Sequence, residues 1–176
     1  MGGVGEVVRN LPAALAGLGA RPMTLMPSYG VLHKAKGSRL RREVKVRFRH
    51  ETHTVTAWSV PGSENGVRNV VLDHDLLAPG EPGRIYESDD DGAAPYATDA
   101  DKFAFFCAAA AAFLDQRSKL PAVVHLHDWH TAMLAVLRQF DPRLDRLAGV
   151  PFVFTIHSLQ YQGQRPLLGD VSSLAA

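Results

Sequence analysis

The N-terminal part of the chain has the apolar pattern of a helix followed by a strand. Apolar residues recur every three or four positions up to Gly19, which predicts an amphipathic helix built on Val7, Val8, Leu11, Leu15 and Leu18. Pro12 lies inside this pattern, so it should either kink the helix or mark a late first turn after Asn10. The apolar run of residues 23–26, closed by the turn-forming residues 27–30, predicts a buried strand.

Alternating apolar and basic residues then predict a β-hairpin. Residues 44–48 have the pattern of a half-buried strand with one solvated face, and residues 52–60 fit as the antiparallel partner. We interpret the basic face as a solvated strand face rather than a nucleic-acid patch. Residues 67–72 predict a further strand. Gly, Pro, Asp and Ser dominate residues 77–96, which predicts an exposed loop.

The second half of the chain alternates helices with buried strands. The capping-box spacing of residues 98–101 opens a predicted helix whose apolar stripe includes Cys107, which we interpret as a core residue. Residues 123–126 predict a short strand, and residues 133–140 predict a helix. The β-branched and aromatic run 150–156 predicts a second buried strand, parallel to the first. The pattern therefore indicates an α/β domain with a parallel sheet.

Composition is typical of one globular domain with no large charged partner. The 176 residues are 46% hydrophobic and 21% charged, with a formal charge of +1. This near-zero charge favours neither a nucleic acid nor an anionic membrane as a partner. The single cysteine has no internal partner for a disulfide, and no signal-peptide pattern opens the chain, so we expect a cytoplasmic protein. The most apolar stretch, residues 103–114, is shorter than the roughly 20 residues of a membrane-spanning helix.

Two polar clusters follow the two predicted parallel strands. Residues 127–130 come directly after the first strand, and His157 comes directly after the second. Ligands bind outside the carboxyl ends of such strands, so we expect these side chains to line one crevice. Residues 2–5 form a glycine run before a helix, a cradle for a diphosphate, although such runs are more often only structural turns. His125 lies mid-strand, and we interpret it as a core histidine.

The histidines of residues 125–130 also permit a metal hypothesis. Three imidazoles and a carboxylate could bind zinc with an open position for water. The order of the residues disfavours it, because the metallo-β-lactamase signature H-x-H-x-D-H places Asp immediately before the last His, whereas Trp129 intervenes here. A serine hydrolase is disfavoured as well, since the G-x-S-x-G elbow does not occur.

Several segments together resemble bacterial glycogen synthases and plant starch synthases. Residues 2–8 with the following Leu-Pro resemble their G-G-L-G-D-V motif, and residues 27–30 are similar to their P-x-Y. Residues 95–106 resemble the stretch that leads into a family helix. The most specific matches are residues 125–130, similar to H-x-H-D-W-H, and residues 154–163, similar to F-T-x-H-N-L-x-Y-Q-G.

This resemblance implies a GT-B glycosyltransferase of two Rossmann-like domains with the active site between them. Residues 1–176 would form the N-terminal domain, truncated at both ends and lacking its first strand. The implied reaction is retaining transfer of glucose from ADP-glucose to the 4-hydroxyl at the non-reducing end of an α-1,4-glucan. The implied partners are the nucleotide-sugar donor, the glucan acceptor and a C-terminal nucleotide-binding domain, with no cofactor and no metal. We expect residues 1–176 alone to be inactive.

The resemblance also implies roles for individual residues. Asp128 and His157 are the expected catalytic residues, Asp128 accepting hydrogen bonds from glucosyl hydroxyls and His157 contacting the sugar near the reacting carbon. Six residues are expected to bind substrate: Gly2, Gly3, Trp129, His130, Tyr161 and Gln162. Glu6 and Ser158 depart from the usual Asp and Asn, which affects the expected substrate contacts more than the family. The alternative functions are a non-catalytic glucan-binding or regulatory fragment and, third, a metal-dependent hydrolase.

Overall fold

A helix is followed by four consecutive strands, and helices and strands then alternate through the rest of the described residues. The computed structural model describes residues 3–62, 66–87, 97–160 and 162–164. The helices and strands are, in chain order, α1 Gly3–Gly17, β1 Met23–Pro27, β2 Arg39–Phe48, β3 Glu51–Val60, β4 Arg68–Asp73, α2 Ala97–Asp115, β5 Val124–His127, α3 Trp129–Phe140 and β6 Phe152–Thr155. Short 3-10 turns lie at Leu32–Lys34, Asp75–Leu77 and Pro142–Leu147. Within the described ranges, none of the helices has the length and hydropathy needed to cross a membrane.

The strands form two separate sheets. The first has the order β1-β4-β3-β2, in which β1 and β4 are parallel and the β2–β3 hairpin extends the sheet in antiparallel fashion. The second pairs β5 with β6 in parallel, with His127 opposite Thr155. The predicted hairpin and the predicted parallel pair are confirmed. Among the described residues, however, the parallel strands are divided between two sheets instead of joining in one.

The hydrophobic core is built around α2 and joins the four-stranded sheet to Leu126 of β5, Leu134 of α3 and Leu147 of the last 3-10 turn. α2 buries nearly all its length, including Phe105, Phe113 and Cys107, against strand residues such as Val46 and Leu72. Because several faces of α2 are covered, alanine and phenylalanine occur all round it and not along one stripe. Cys107 is a core residue, as predicted. Burial raises the pKa of its thiol to about 12, which leaves the sulfur unreactive at neutral pH.

Two expectations from the sequence are wrong in detail, and one of two alternatives is excluded. α1 spans Gly3–Gly17 and includes Pro12, which excludes a late first turn after Asn10. The strand predicted as buried, β6, leaves Val153 and Phe154 nearly half exposed. The predicted exposed loop is partly buried: Leu77 belongs to the core and the Glu87 side chain is only 9% exposed. The rest of that loop, residues 88–96, lies outside the described residues.

Candidate active site

One buried carboxylate joins the segments that follow β5 and β6. Asp128 comes directly after β5, and its Oδ1 accepts hydrogen bonds from the backbone N–H groups of His157 at 2.6 Å and Ser158 at 3.4 Å. The Asp128 side chain is almost fully buried. The structure therefore brings Asp128 and His157 together at the carboxyl edge of the parallel pair, where the sequence placed them. Their catalytic roles stay predictions.

The backbone of Asp128 is held in a conformation that favours glycine. Its φ is 56° and its ψ is −177°, a region that costs a residue with a side chain about 1–3 kcal/mol. Neighbouring hydrogen bonds fix this geometry: the Asp128 N–H donates to Thr155 O at 2.9 Å, and the Thr131 N–H and hydroxyl both donate to Asp128 O at 3.1 Å. Such strain persists where the surroundings over-determine it, and it is typical of functional sites.

Three histidines line the same edge. His127 Nδ1 and His157 Nε2 are hydrogen-bonded at 2.9 Å with their rings stacked, and His125 lies beside His127 with 4.2 Å between ring centroids. Burial, helped by His125 and His157 and opposed by Asp128, lowers the pKa of His127 to about 4. His127 is therefore neutral at pH 7. The interpretation of His125 as a core residue is wrong: it lies mid-strand but is exposed, and its Nε2 bonds Thr155 Oγ1 at 2.7 Å.

Trp129 packs against a glycine backbone and an aromatic ring. Gly163 has a φ of +60°, and a Cβ added there would overlap the indole of Trp129, so only glycine fits. Phe103 of α2 contacts the same indole edge-on, with 5.2 Å between centroids. The tryptophan thus fixes where residues 162–164 lie relative to α3. The side chain of Gln162 remains within its own turn, donating to Leu159 O at 2.6 Å.

His130, in the first turn of α3, has a phenol as its partner. Its Nε2 lies 2.8 Å from the hydroxyl oxygen of Tyr86. Burial lowers the pKa of His130 to about 4 against the opposing charges of Asp128 and Asp99, while Lys102 adds to the lowering. His130 is a neutral imidazole at physiological pH.

The predicted substrate-binding residues divide into three groups. Trp129 and His130 directly follow Asp128 in the chain, and Gln162 precedes Gly163, which packs against Trp129. Gly3 begins α1, and no described atom outside its own helix turn lies within 4 Å of where its Cβ would be, so it makes no contact there with the cluster. Gly2 and Tyr161 lie outside the described residues. Within the described ranges, His, Cys, Asp and Glu side chains form no group of three or more that could hold a metal ion.

A family model described as the starch synthase catalytic domain matches residues 1–175. The chain belongs to this family. Glycogen synthase of Exiguobacterium sibiricum is 31% identical over 99% of the chain and 35% of its own length. Glycogen synthase of Anaeromyxobacter sp. is 33% identical over 92% of the chain and 32% of its own length. The chain thus spans about a third of the length of the curated relatives it matches.

A solved starch synthase structure confirms the fold class. The catalytic domain of starch synthase IV from Arabidopsis thaliana, bound to ADP and acarbose, superposes with a TM-score of 0.75 at 25% identity. The match covers 92% of the chain and 31% of that structure. The Rossmann-like α/β fold expected from the resemblance is therefore that of the starch synthase family.

Three residues of this candidate site were given no role in the sequence analysis: Tyr86, Thr131 and Gly163. His127 was expected to line the crevice, but its bond to His157 was not expected. The glycine that ends the Y-Q-G motif carried a signal for Gly163. Tyr86 carried none, because it lies in a segment whose composition predicts only a loop.

Proposed function

We propose that this chain forms part of a glycogen or starch synthase, which transfers glucose from ADP-glucose to the 4-hydroxyl at the non-reducing end of an α-1,4-glucan with retention of configuration. The convergence of Asp128 and His157, inside the two most specific motifs, carries this proposal. The starch synthase IV neighbour supports it, because that structure is bound to ADP and acarbose. Since the chain spans only part of its relatives, the activity belongs to the whole protein.

The site suits a reaction that depends on positioned hydrogen bonds. Glycosyl transfer passes through an oxocarbenium-like transition state, which fixed donors and acceptors stabilise more than a strong base does. Oδ1 of Asp128 is taken by backbone N–H groups, so Oδ2 is the oxygen that can accept from a sugar hydroxyl. Nε2 of His157 is taken by His127, so Nδ1 is the nitrogen that can face the substrate.

The proposed reaction also needs groups that bind the diphosphate and the nucleotide of the donor. Gly2 and Gly3 would present backbone N–H groups to the diphosphate. A C-terminal nucleotide-binding domain would close over the donor, and water would be excluded on closure. We propose no cofactor beyond the ADP-glucose donor, and no nucleic acid or membrane partner. We place the reaction in the cytoplasm.

Incorporation of labelled glucose into glycogen tests this function. The protein carrying residues 1–176 together with the proposed C-terminal domain is assayed with ADP-glucose, before and after exhaustive chelation of metals. We expect incorporation that chelation leaves unchanged and that His157→Ala abolishes. Binding of glycogen without incorporation would favour the non-catalytic fragment, and zinc-dependent hydrolysis without incorporation would favour the metal-dependent hydrolase.

A further inference from the structure

We propose that Tyr86 is a positioning residue that sets the tautomer and orientation of His130, donating its hydroxyl proton to Nε2 so that Nδ1 carries the proton. The inference deepens the proposed function, on which it rests, by making His130 a hydrogen-bond donor to a substrate oxygen. The two atoms lie 2.8 Å apart, and the two rings are in contact with 5.6 Å between centroids. Tyr86 reaches His130 from a segment 44 residues earlier in the chain.

A buried ion cluster holds the segment that carries Tyr86. Lys102 has no exposed side-chain surface, and its Nζ bonds Asp99 Oδ1 at 2.7 Å and the carbonyl of Ile85 at 2.7 Å. The carboxylate of Asp99, also fully buried, accepts the backbone N–H of Glu87. The residues immediately before and after Tyr86 are thus both bonded to the first turns of α2. A buried charge needs partners of this kind, so the cluster gives the segment a defined position.

Ring contacts fix the direction of the Tyr86 side chain. Phe103 lies next to Lys102 on α2, and its ring contacts Tyr86 at 6.3 Å and His130 at 4.6 Å between centroids. Phe103 also packs edge-on against Trp129. The Phe103 ring therefore lies between the ion cluster and the first turn of α3. Its contacts with both rings hold the Tyr86 hydroxyl next to the His130 imidazole.

Both partners are uncharged at neutral pH. Burial, with Asp99 and Asp128 nearby, raises the pKa of Tyr86, so its hydroxyl keeps its proton. The side chains that face the His130 imidazole are Tyr86, Asp128, Asp99 and Lys102, and the Cys107 thiol donates to the backbone carbonyl of His130. Burial outweighs the two carboxylates and lowers the pKa of His130, so the imidazole is neutral. A neutral imidazole has one N–H and one acceptor nitrogen.

The chemistry of the two groups decides which donates. A phenolic oxygen shares its lone pairs with the ring and is a weak acceptor, whereas the bare imidazole nitrogen is a strong one. Tyr86 O–H therefore donates to Nε2, and the proton of His130 resides on Nδ1. A hydrogen bond to the neutral imidazole also opposes its protonation, which agrees with the direction of the pKa shift.

The test is ¹⁵N NMR of histidine-labelled protein, with the His130 signals assigned from a His130→Gln variant. In the unchanged protein at pH 7 we expect the Nδ1–H tautomer. In Tyr86→Phe, which keeps the ring and its contacts, we expect a shift toward Nε2–H and a higher pKa of His130. Tyr29→Phe is the matched control, because it removes a phenolic hydroxyl from the same part of the fold while Tyr86 still occupies Nε2.

Each outcome decides the proposal. An Nε2–H tautomer in the unchanged protein overturns it, even where Tyr86→Phe fails to fold. The same tautomer in Tyr86→Phe as in the unchanged protein overturns it too. In the transfer assay, Tyr86→Phe should lower kcat about 5- to 10-fold with a smaller change in KM, as the loss of one oriented hydrogen bond implies. The NMR result does not depend on transfer, so absence of glucosyl transfer would refute the proposed function and leave the Tyr86 inference to be judged separately.

Discussion

The backbone N–H of His157 donates to Oδ1 of Asp128 over 2.6 Å, so one side chain connects the loop after β6 to the loop after β5. Asp128 immediately precedes α3, and its backbone has a conformation that glycine adopts more easily. Asp128 therefore has two opposite effects on stability. Its carboxylate stabilises the junction of the two loops, and its Cβ strains the turn on which that junction depends.

The first prediction separates these two effects. Asp128→Ala removes the acceptor and keeps the strain, whereas Asp128→Gly removes both, so the glycine variant should be more stable than the alanine variant by about 1 kcal/mol. Both should be less stable than the unchanged protein, because two backbone N–H groups lose their acceptor. Urea unfolding monitored by circular dichroism gives the three midpoints. An alanine variant as stable as the glycine variant would show that the turn is not strained.

A second prediction concerns charge at the same position. Asp128→Asn keeps one carbonyl oxygen for the His157 N–H but loses the charge-assisted hydrogen bond to a sugar hydroxyl, worth about 1–3 kcal/mol. We expect a small change in the unfolding midpoint and a clear drop in glucosyl transfer. Parallel unfolding and transfer measurements on one preparation check this. Normal transfer would make Asp128 a structural residue only.

His157→Ala should lower kcat for transfer much more than it weakens binding of ADP-glucose. An interaction made mainly in the transition state gives this kinetic pattern. Steady-state kinetics and donor titration measure the two quantities. The control is His50→Ala, an exposed histidine in the turn between β2 and β3, whose kinetics should match those of the unchanged protein. An unchanged kcat in His157→Ala would remove His157 from the reaction.

The sequence predicted the order of helices and strands along the chain better than it predicted which strands pair in each sheet. Period-two and helical patterns identify single elements such as the β2–β3 hairpin and α2, because each pattern depends on one strand or helix. Which strand lies beside β5 depends on contacts between distant segments, which no local pattern records. The family motifs located Asp128 and His157, but they did not show that the backbone N–H of His157 donates to the Asp128 carboxylate. The partner of His130 was missed for the same reason, since Tyr86 lies far away in sequence.

Gly163→Ala should misplace Trp129. The added Cβ would overlap the indole, and the φ of +60° adds strain, so we expect a loss of local order and a destabilisation of about 1–3 kcal/mol. Gly149→Ala is the matched control, because no described atom lies within 4 Å of its Cβ position. Near-ultraviolet circular dichroism of the tryptophans and thermal unfolding compare the two variants. Equal spectra and equal midpoints would mean that Gly163 does not pack against Trp129 in solution.

The buried imidazole of His130 should make the folded state less stable in acid. Its folded pKa is about 4, below the value of about 6.5 in an unfolded chain. As the pH falls below about 6.5 the unfolded chain takes up a proton that the folded protein resists until about pH 4, so stability is complete above that window and declines through it. Between pH 7 and pH 5 the loss of unfolding free energy attributable to His130 is at most about 2 kcal/mol, and it should vanish in His130→Gln.

Carboxylates also titrate near this pH range, so the quantity to measure is the difference between the urea-unfolding free energies of the unchanged protein and of His130→Gln at each pH. That difference should shrink as the pH falls. A difference in unfolding free energy that stays constant with pH would show that the His130 imidazole titrates in the folded protein as it does in water. The contact with Tyr86 would then not exclude solvent from it.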